Sequence, residues 1–122
     1  MKDDSALGTE SVAEQMPDRL LAYALDALLT REAGWVGLVP ELAQLGPEAD
    51  PTDIAIALTR AATEIEQSFV PSSPSMDAAR HGYKLAALLL LEMKALALQG
   101  IPVVTCAELL AIWRETPFLD PA

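Results

Sequence analysis

A chain of 122 residues, 52% of them hydrophobic, is long enough to bury a core of its own within one domain. Its 18 acidic and 8 basic residues give a formal net charge of −10, which argues against binding to nucleic acid or to an anionic membrane surface. The single cysteine, Cys106, cannot form an internal disulfide and fits a reducing compartment, so we expect a cytoplasmic protein.

The first fifteen residues are polar and acidic, with few large apolar side chains. They lack the basic stretch and following apolar run of an export signal, and they offer little apolar surface to offset the entropy cost of ordering. We therefore predict a disordered acidic tail over residues 1–15 and a single helical domain over residues 16–122. Pro17 then suits the first position of the first helix, where no amide donor is needed.

The first predicted helix runs from Pro17 to a stop before Gly34, since glycine readily adopts the left-handed conformation found after helix ends. Its apolar stripe contains Leu21, Leu25 and Leu28. A short connector helix then begins near Pro40 and ends before Gly46. These signals predict one long amphipathic helix followed by a short one.

The second principal helix has Asp50 as its N-cap and Pro51 as its first residue. Its predicted apolar stripe consists of Ile54, Leu58, Ala61, Ile65 and Phe69. The third principal helix begins near Ser75, after a run of serines and prolines, and ends at about Gln99, because Gly100 follows.

The last helix has the clearest start signal in the chain. Thr105 and Glu108 have the spacing of a capping box, and Pro117 marks the end. No segment alternates apolar and polar residues in the manner of a half-buried strand. The predicted fold class is therefore all-α, as a small four-helix bundle or orthogonal helical array with a short extra connector helix.

The segment Leu85–Leu91 contains no polar side chain. Glu92 and Lys94 interrupt it before the roughly 18 residues that a membrane span needs, so we predict no span. Its leucines point in every direction around the helix, and we expect this helix to be the most buried element, surrounded by the other three. Alternatively, part of its surface stays outside the monomer as an interface, for which a symmetric homodimer or another chain's helix is the simplest occupant.

Basic side chains cluster at the start of the same helix. Arg80, His81 and Lys84 are close in sequence, and His81 is the only histidine. Together they are a candidate contact for an anion or a small ligand. The alternative is that they form an ordinary solvated helix face, on which Asp77 holds His81. A metal site needs three or four ligands, which the histidine and cysteine spacing does not supply, so we predict no metal and no cofactor.

Three aromatic residues and the cysteine are the other candidates. Trp35, Trp113 and Phe118 lie near predicted helix ends and are candidate partner contacts, because Trp is enriched in interface hot spots, with packing against the core as the alternative. The dipole of the last helix could activate Cys106, yet the sequence offers no neighbouring cysteine or histidine, so a small buried side chain is expected. We predict no catalytic residue.

Taken together, these features favour a small acidic protein-interaction module, such as an adaptor, assembly chaperone or regulator, that binds another protein or a second copy of itself through aliphatic helical surface. One alternative is a ligand-binding or enzymatic bundle with its site near Arg80, His81 and Lys84. Another is an inhibitor that imitates nucleic acid. That inhibitor would require a continuous ridge of Glu41, Glu48, Asp50, Asp53, Glu64 and Glu66.

Overall fold

The computed structural model describes the backbone of residues 4–118 and the side chains of residues 15–118. Over this range the chain forms α-helices and no strand. The helices are α1 (Asp4–Thr30), α2 (Leu38–Leu45), α3 (Pro51–Ser68), α4 (Ser75–Leu98) and α5 (Cys106–Glu115), with a 3₁₀ turn over Trp35–Gly37 leading into α2. The predicted all-α class is confirmed, with α2 as the short connector.

Helix α1 starts earlier than the sequence signals predict. It begins at Asp4, so Pro17 lies inside the helix instead of at its first position. A proline removes one amide donor and crowds the preceding turn, but a helix can continue on both sides of it. Most of the predicted tail, residues 1–15, has side chains that lie outside the described part of the chain. The domain boundary at residue 15 therefore stays a prediction.

Helix α3 follows its local signals closely. The backbone amide of Thr52 donates to the Oδ1 atom of Asp50 at 2.8 Å, which confirms the predicted N-cap. The predicted apolar stripe is buried at Ile54, Leu58, Ala61 and Ile65. Phe69 is the exception, because α3 ends at Ser68 and leaves the Phe69 side chain 38% exposed.

Small residues allow α3 and α4 to pack closely. The buried small residues include Ala61 and Ala62 on α3 and Ala79 and Gly82 on α4. A Cβ atom at Gly82 would lie 3.1 Å from the Cβ of Ala62 and 3.2 Å from the carbonyl oxygen of Leu58. Glycine in the interior of a helix usually destabilises that helix. At position 82 the close contact with α3 explains why the chain has a glycine.

The expectation that the helix over residues 75–99 is the most buried element is wrong. Helix α3 packs against both α1 and α4 and has eight of its 18 residues buried, whereas α4 has seven of 24. Leu85 and Leu89 of α4 are in the core, as expected. Leu91 and Leu98 lie on the opposite side of the helix and are largely exposed, since no described helix covers that side.

Helix α4 ends in a left-handed cap. Gly100 has a φ of 78°, its amide donates to the Ala97 carbonyl at 3.0 Å, and the Ile101 amide donates to the Leu96 carbonyl at 2.9 Å. These bonds satisfy carbonyls that the helix end would leave unpaired. The predicted stop at Gly100 is therefore confirmed.

Helix α5 is fixed at its first turn. The Glu108 amide donates to the Thr105 hydroxyl at 3.3 Å, and the Thr105 amide donates to the Glu108 carboxylate at 3.1 Å, so the predicted capping box is present. The next amides, of Cys106 and Ala107, donate to the carbonyls of Ala49 and Pro47 at 2.8 and 2.7 Å. The α2–α3 loop thus accepts the free amides of α5 and docks the helix beside α2.

Candidate functional site

The largest aliphatic side chains exposed on α3 and α4 lie on one outer side of this helix pair. We call the following four residues the apolar face: Ile56, Leu90, Leu91 and Leu98, which are 53%, 46%, 64% and 76% exposed. Single exposed leucines are ordinary on protein surfaces, but a contiguous group of them marks a binding surface more often than not.

The four residues form a pair beside the groove and a pair further around α4. Ile56 and Leu90 line the same shallow groove between α3 and α4, and Leu91 points about 100° further around α4, outside that groove. Leu98 follows Leu91 by seven residues, which returns it to the same side two turns later, about 10 Å along the helix. The face therefore extends from the α3–α4 groove toward the C-terminal end of α4.

Three cations with no ion-pair partner in the described part of the chain lie beside the apolar face. Arg60 lines the groove together with Ile56 and Leu90. Lys84 precedes Leu91 by seven residues and Lys94 follows it by three, so both belong to the same side of α4. All three cations are exposed, and none has an ion-pair partner among the described side chains.

Carboxylates lie beside this face as well. Asp53 precedes Ile56 by three residues and Glu64 follows Arg60 by four, on the same side of α3. Charges of both signs therefore lie beside the apolar face.

Other carboxylates near the face accept hydrogen bonds within the fold. Asp77 accepts from Arg80, Glu66 accepts from the Tyr83 hydroxyl at 2.6 Å, and Glu92 accepts from the indole nitrogen of Trp113 at 2.5 Å. The Glu66 bond also raises the pKa of the Tyr83 hydroxyl above its ordinary value.

The three residues of the candidate anion cluster have different surroundings. The His81 ring stacks on the Trp35 ring, with centroids 3.9 Å apart and 15° between the planes, and its Nδ1 lies 2.7 Å from the Asp77 carbonyl oxygen. Arg80 forms an ion pair with the Asp77 carboxylate, and Lys84 is exposed on the outer side of α4. Four open grooves on the described surface are lined by other residues, so a ligand contact here stays a prediction.

The three candidate aromatic contacts have defined roles inside the fold. Trp113 and Phe118 are 6% and 4% exposed, and their rings pack at a centroid distance of 5.2 Å. Trp35 holds His81 against the 3₁₀ turn, and its buried Nε1 has no hydrogen-bond partner among the described residues. Trp113 and Phe118 also border a groove beside α2, and the proposed contact of any of the three with a partner stays untested.

Sequence reasoning missed a second polar cluster, which joins α1 to α2. The Tyr23 hydroxyl donates to the Glu41 carboxylate at 2.6 Å, and Arg31 forms an ion pair with the same oxygen. The Tyr23 bond, followed by the Arg31 bond and charge, holds the pKa of Glu41 below its ordinary value. No local motif joins residues so far apart in sequence, so only the packing of α1 on α2 reveals the cluster.

The described residues offer little for catalysis. Cys106 is fully buried, and burial, with smaller effects of Asp53 and Asp50, raises the pKa of its thiol to about 12, which disfavours the nucleophilic thiolate. No group of three His, Cys, Asp or Glu side chains within the described part of the chain is arranged to hold a metal ion. Likewise, none of the helices described is long and apolar enough to cross a membrane.

The acidic residues named for nucleic-acid mimicry are partly engaged within the fold. Asp50 caps α3, Glu41 binds Tyr23 and Arg31, and Glu66 binds Tyr83. Half of the proposed ridge therefore stabilises the helices locally, so no observation favours that alternative.

Comparison of the chain with protein-family models, with curated proteins and with solved structures found no match.

Proposed function

We propose that this protein is a small helical binding module that acts by associating with another protein through the apolar face. The observation that carries the proposal is the exposure of Leu90, Leu91 and Leu98 on the outer half of α4, with Ile56 of α3 beside Leu90. Exposed aliphatic groups of this size and continuity are costly in water, and covering them with a partner is favourable by about 25 cal/mol per Å² before the costs of association.

The hydrophobic core does not include the exposed residues of the apolar face. Leu89 is fully buried although its neighbours Leu90 and Leu91 are exposed, so α4 contributes one side to the core and keeps another free. Substitution on the free side should therefore change binding without unfolding the chain. A second copy of the chain and a different protein are both admissible partners under this proposal.

The test is affinity capture of the tagged protein from its host, with an untagged copy coexpressed and the retained proteins quantified by mass spectrometry. Leu91→Glu places a charge in the apolar face. Val70→Glu is the matched control, because Val70 is 65% exposed, as Leu91 is 64%, but lies in the α3–α4 connection.

The proposal predicts that at least one protein, or the untagged copy, is retained by the wild type and by Val70→Glu and is lost with Leu91→Glu. Identical retained sets for all three chains, or no retained protein, would contradict it. Circular dichroism of both variants confirms that the helices are intact.

A further inference from the structure

The contact between Trp35 and His81 joins two elements that are distant in sequence. The His81 ring of α4 stacks on the Trp35 ring of the 3₁₀ turn, with centroids 3.9 Å apart and 15° between the planes. Its Nδ1 lies 2.7 Å from the carbonyl oxygen of Asp77, and since a carbonyl only accepts, Nδ1 carries the proton of this hydrogen bond. Nε2 has no partner among the described residues and is the atom at which the ring can take up a second proton.

The turn that carries Trp35 lies against α4 with one polar group unsatisfied. The Nε1 atom of Trp35 is buried and has no hydrogen-bond partner in the described part of the chain. A buried donor without an acceptor destabilises the docked turn, and that loss is recovered when the group returns to water. The stack on His81 opposes this effect, so a change in the strength of the stack shifts the balance between a docked and a released Trp35.

Glycines at both ends allow the turn to move without unwinding the neighbouring helices. Gly34 precedes Trp35 with a φ of 78°, and Gly37 ends the turn. Because glycine adopts both left-handed and right-handed backbone conformations at little cost, changes at these two residues can swing Trp35 away from α4. Val36 and Gly37 also line the groove beside α2, so this movement changes one wall of that groove.

We propose that the Trp35–His81 stack is a pH-sensitive latch: protonation of His81 tightens the attachment of the 3₁₀ turn to α4, and loss of the proton loosens it. A cation within about 6 Å of an aromatic centroid is attracted by the ring face, most strongly by that of tryptophan. The hydrogen bond from Nδ1 to the Asp77 carbonyl also strengthens when the ring is charged. Histidine ordinarily changes its charge between pH 5 and 8, and His81 is the only histidine in the chain.

The charged groups of α4 itself do not cancel this effect. Arg80 precedes His81, and its charge is paired with the Asp77 carboxylate. Lys84 lies one turn after His81 and is exposed, so solvent and salt screen its repulsion of a protonated ring. The Trp35 ring, by contrast, is in direct contact with His81.

The other elements near the stack add no competing cation. The 3₁₀ turn contains no titratable group. The charged groups to consider on the segments that pack around α4 here are Arg31, Glu32, Glu41 and Glu66. Arg31 and Glu41 form an ion pair, and Glu66 accepts from Tyr83, which lies on the other side of α4 from His81. Glu32 is exposed and negative, so any contribution from it favours the protonated ring.

A double-mutant cycle on thermal stability tests the latch. A side chain that is protonated more readily in the folded state adds stability in acid, and that stability is lost as pH rises through the titration of histidine. The loss of Tm caused by His81→Gln should therefore be larger at about pH 5.5 than at about pH 8, by about 2–4 °C. In a Trp35→Leu background, the difference between the two pH values should fall to less than about half.

Acrylamide quenching of Trp35 fluorescence measures the release itself. The chain has two tryptophans, so Trp113→Phe leaves Trp35 as the only one. The quenching constant should be at least about twofold higher at about pH 8 than at about pH 5.5. His81→Phe in the same background is the matched control, because phenylalanine keeps an aromatic ring beside Trp35 but takes up no proton, and its quenching should be equal at both pH values.

Either experiment can overturn the proposal. An equal loss of Tm at the two pH values, a larger loss at about pH 8, or the same pH dependence with and without Trp35 would contradict it. Equal quenching of Trp35 at both pH values, in a Trp113→Phe chain with the circular dichroism of the wild type, would contradict it as well. If Trp113→Phe does not fold, the thermal cycle, which leaves Trp113 in place, decides alone.

Discussion

Gly82 illustrates how one residue sets the distance between two helices. An alanine there should favour the helical backbone by about 1 kcal/mol, because glycine loses more conformational freedom on folding. Its Cβ, however, would lie 3.0 Å from the Leu28 Cδ1 atom and 3.2 Å from the Leu58 carbonyl oxygen. Overpacking of this kind costs about 1–3 kcal/mol, and the backbone oxygen of α3 cannot move away alone.

We therefore predict that Gly82→Ala lowers the free energy of unfolding by about 1 kcal/mol despite its better helix propensity. Urea denaturation monitored by circular dichroism measures the change. A variant more stable than the wild type would show that the contact between α3 and α4 accommodates a methyl group.

Glu41 connects stability to pH at the residue scale. Its pKa is held below the ordinary value of 4.5 by the Tyr23 hydrogen bond and by Arg31, so the folded state favours the charged form. The resulting stabilisation is fully present above pH 4.5 and is lost as pH falls through the lowered pKa.

We predict that Glu41→Gln destabilises the protein at neutral pH by about 0.2–1 kcal/mol, the range for partly exposed charged pairs, and that the difference from the wild type vanishes in acid. Thermal melts between neutral and acidic pH measure it. Glu32→Gln is the control, because the Glu32 carboxylate has no hydrogen-bond partner among the described residues, and a pH-independent difference for Glu41→Gln would contradict the assignment.

At the scale of the element, α4 shows two different environments within three residues. Leu89 is fully buried and Leu91 is 64% exposed, although the sequence around them is uniformly apolar. Removing a buried leucine leaves a cavity as well as losing transfer free energy, whereas removing an exposed one changes little in the folded monomer.

We predict that Leu89→Ala costs about 2–5 kcal/mol of unfolding free energy and that Leu91→Ala changes it by less than about 0.5 kcal/mol. Chemical denaturation of the two variants in parallel gives both values, and each is the other's control for helix propensity. Equal costs would show that both sides of α4 are covered by the chain itself.

The helix boundaries show which parts of the fold were predictable from sequence. The capping box at Thr105, the N-cap at Asp50 and the stop at Gly100 were all correctly predicted, because each depends on a few neighbouring residues. The start of α1 was not, since Pro17 lies inside a helix that begins at Asp4. A proline weakens one turn, and its effect on the whole helix depends on the residues that precede it.

At the scale of the whole molecule, the class of fold followed from periodicity, but the identity of its central helix did not. A helix that is apolar in every direction has more apolar surface than one neighbouring helix can cover. Its sequence does not reveal which side stays uncovered. The close approach of α4 to α3 at Ala62 and Gly82, together with the packing of α1 on α3, makes α3 the central helix. The other side of α4 then remains exposed.

The candidate site could be predicted only in part from the sequence, because it also depends on how the helices pack. The hypothesis of an exposed aliphatic surface required only composition, and the heptad spacing of Lys84, Leu91 and Leu98 was available as a signal. Whether Ile56 and Arg60 of α3 lie beside Leu90 depends on the register between α3 and α4. The stacking of His81 on Trp35 likewise depends on tertiary packing. Register between helices is set by tertiary packing, which a single sequence does not display.

We propose that a partner covers the outer side of α4 in the cell. Site-specific incorporation of a photo-crosslinking amino acid at Leu91, followed by irradiation of the host, tests it most directly, with the same substitution at Val70 as the equally exposed control. We expect a discrete covalent adduct of higher mass from position 91 and none from position 70. No adduct at position 91, or the same adducts from both positions, would contradict it.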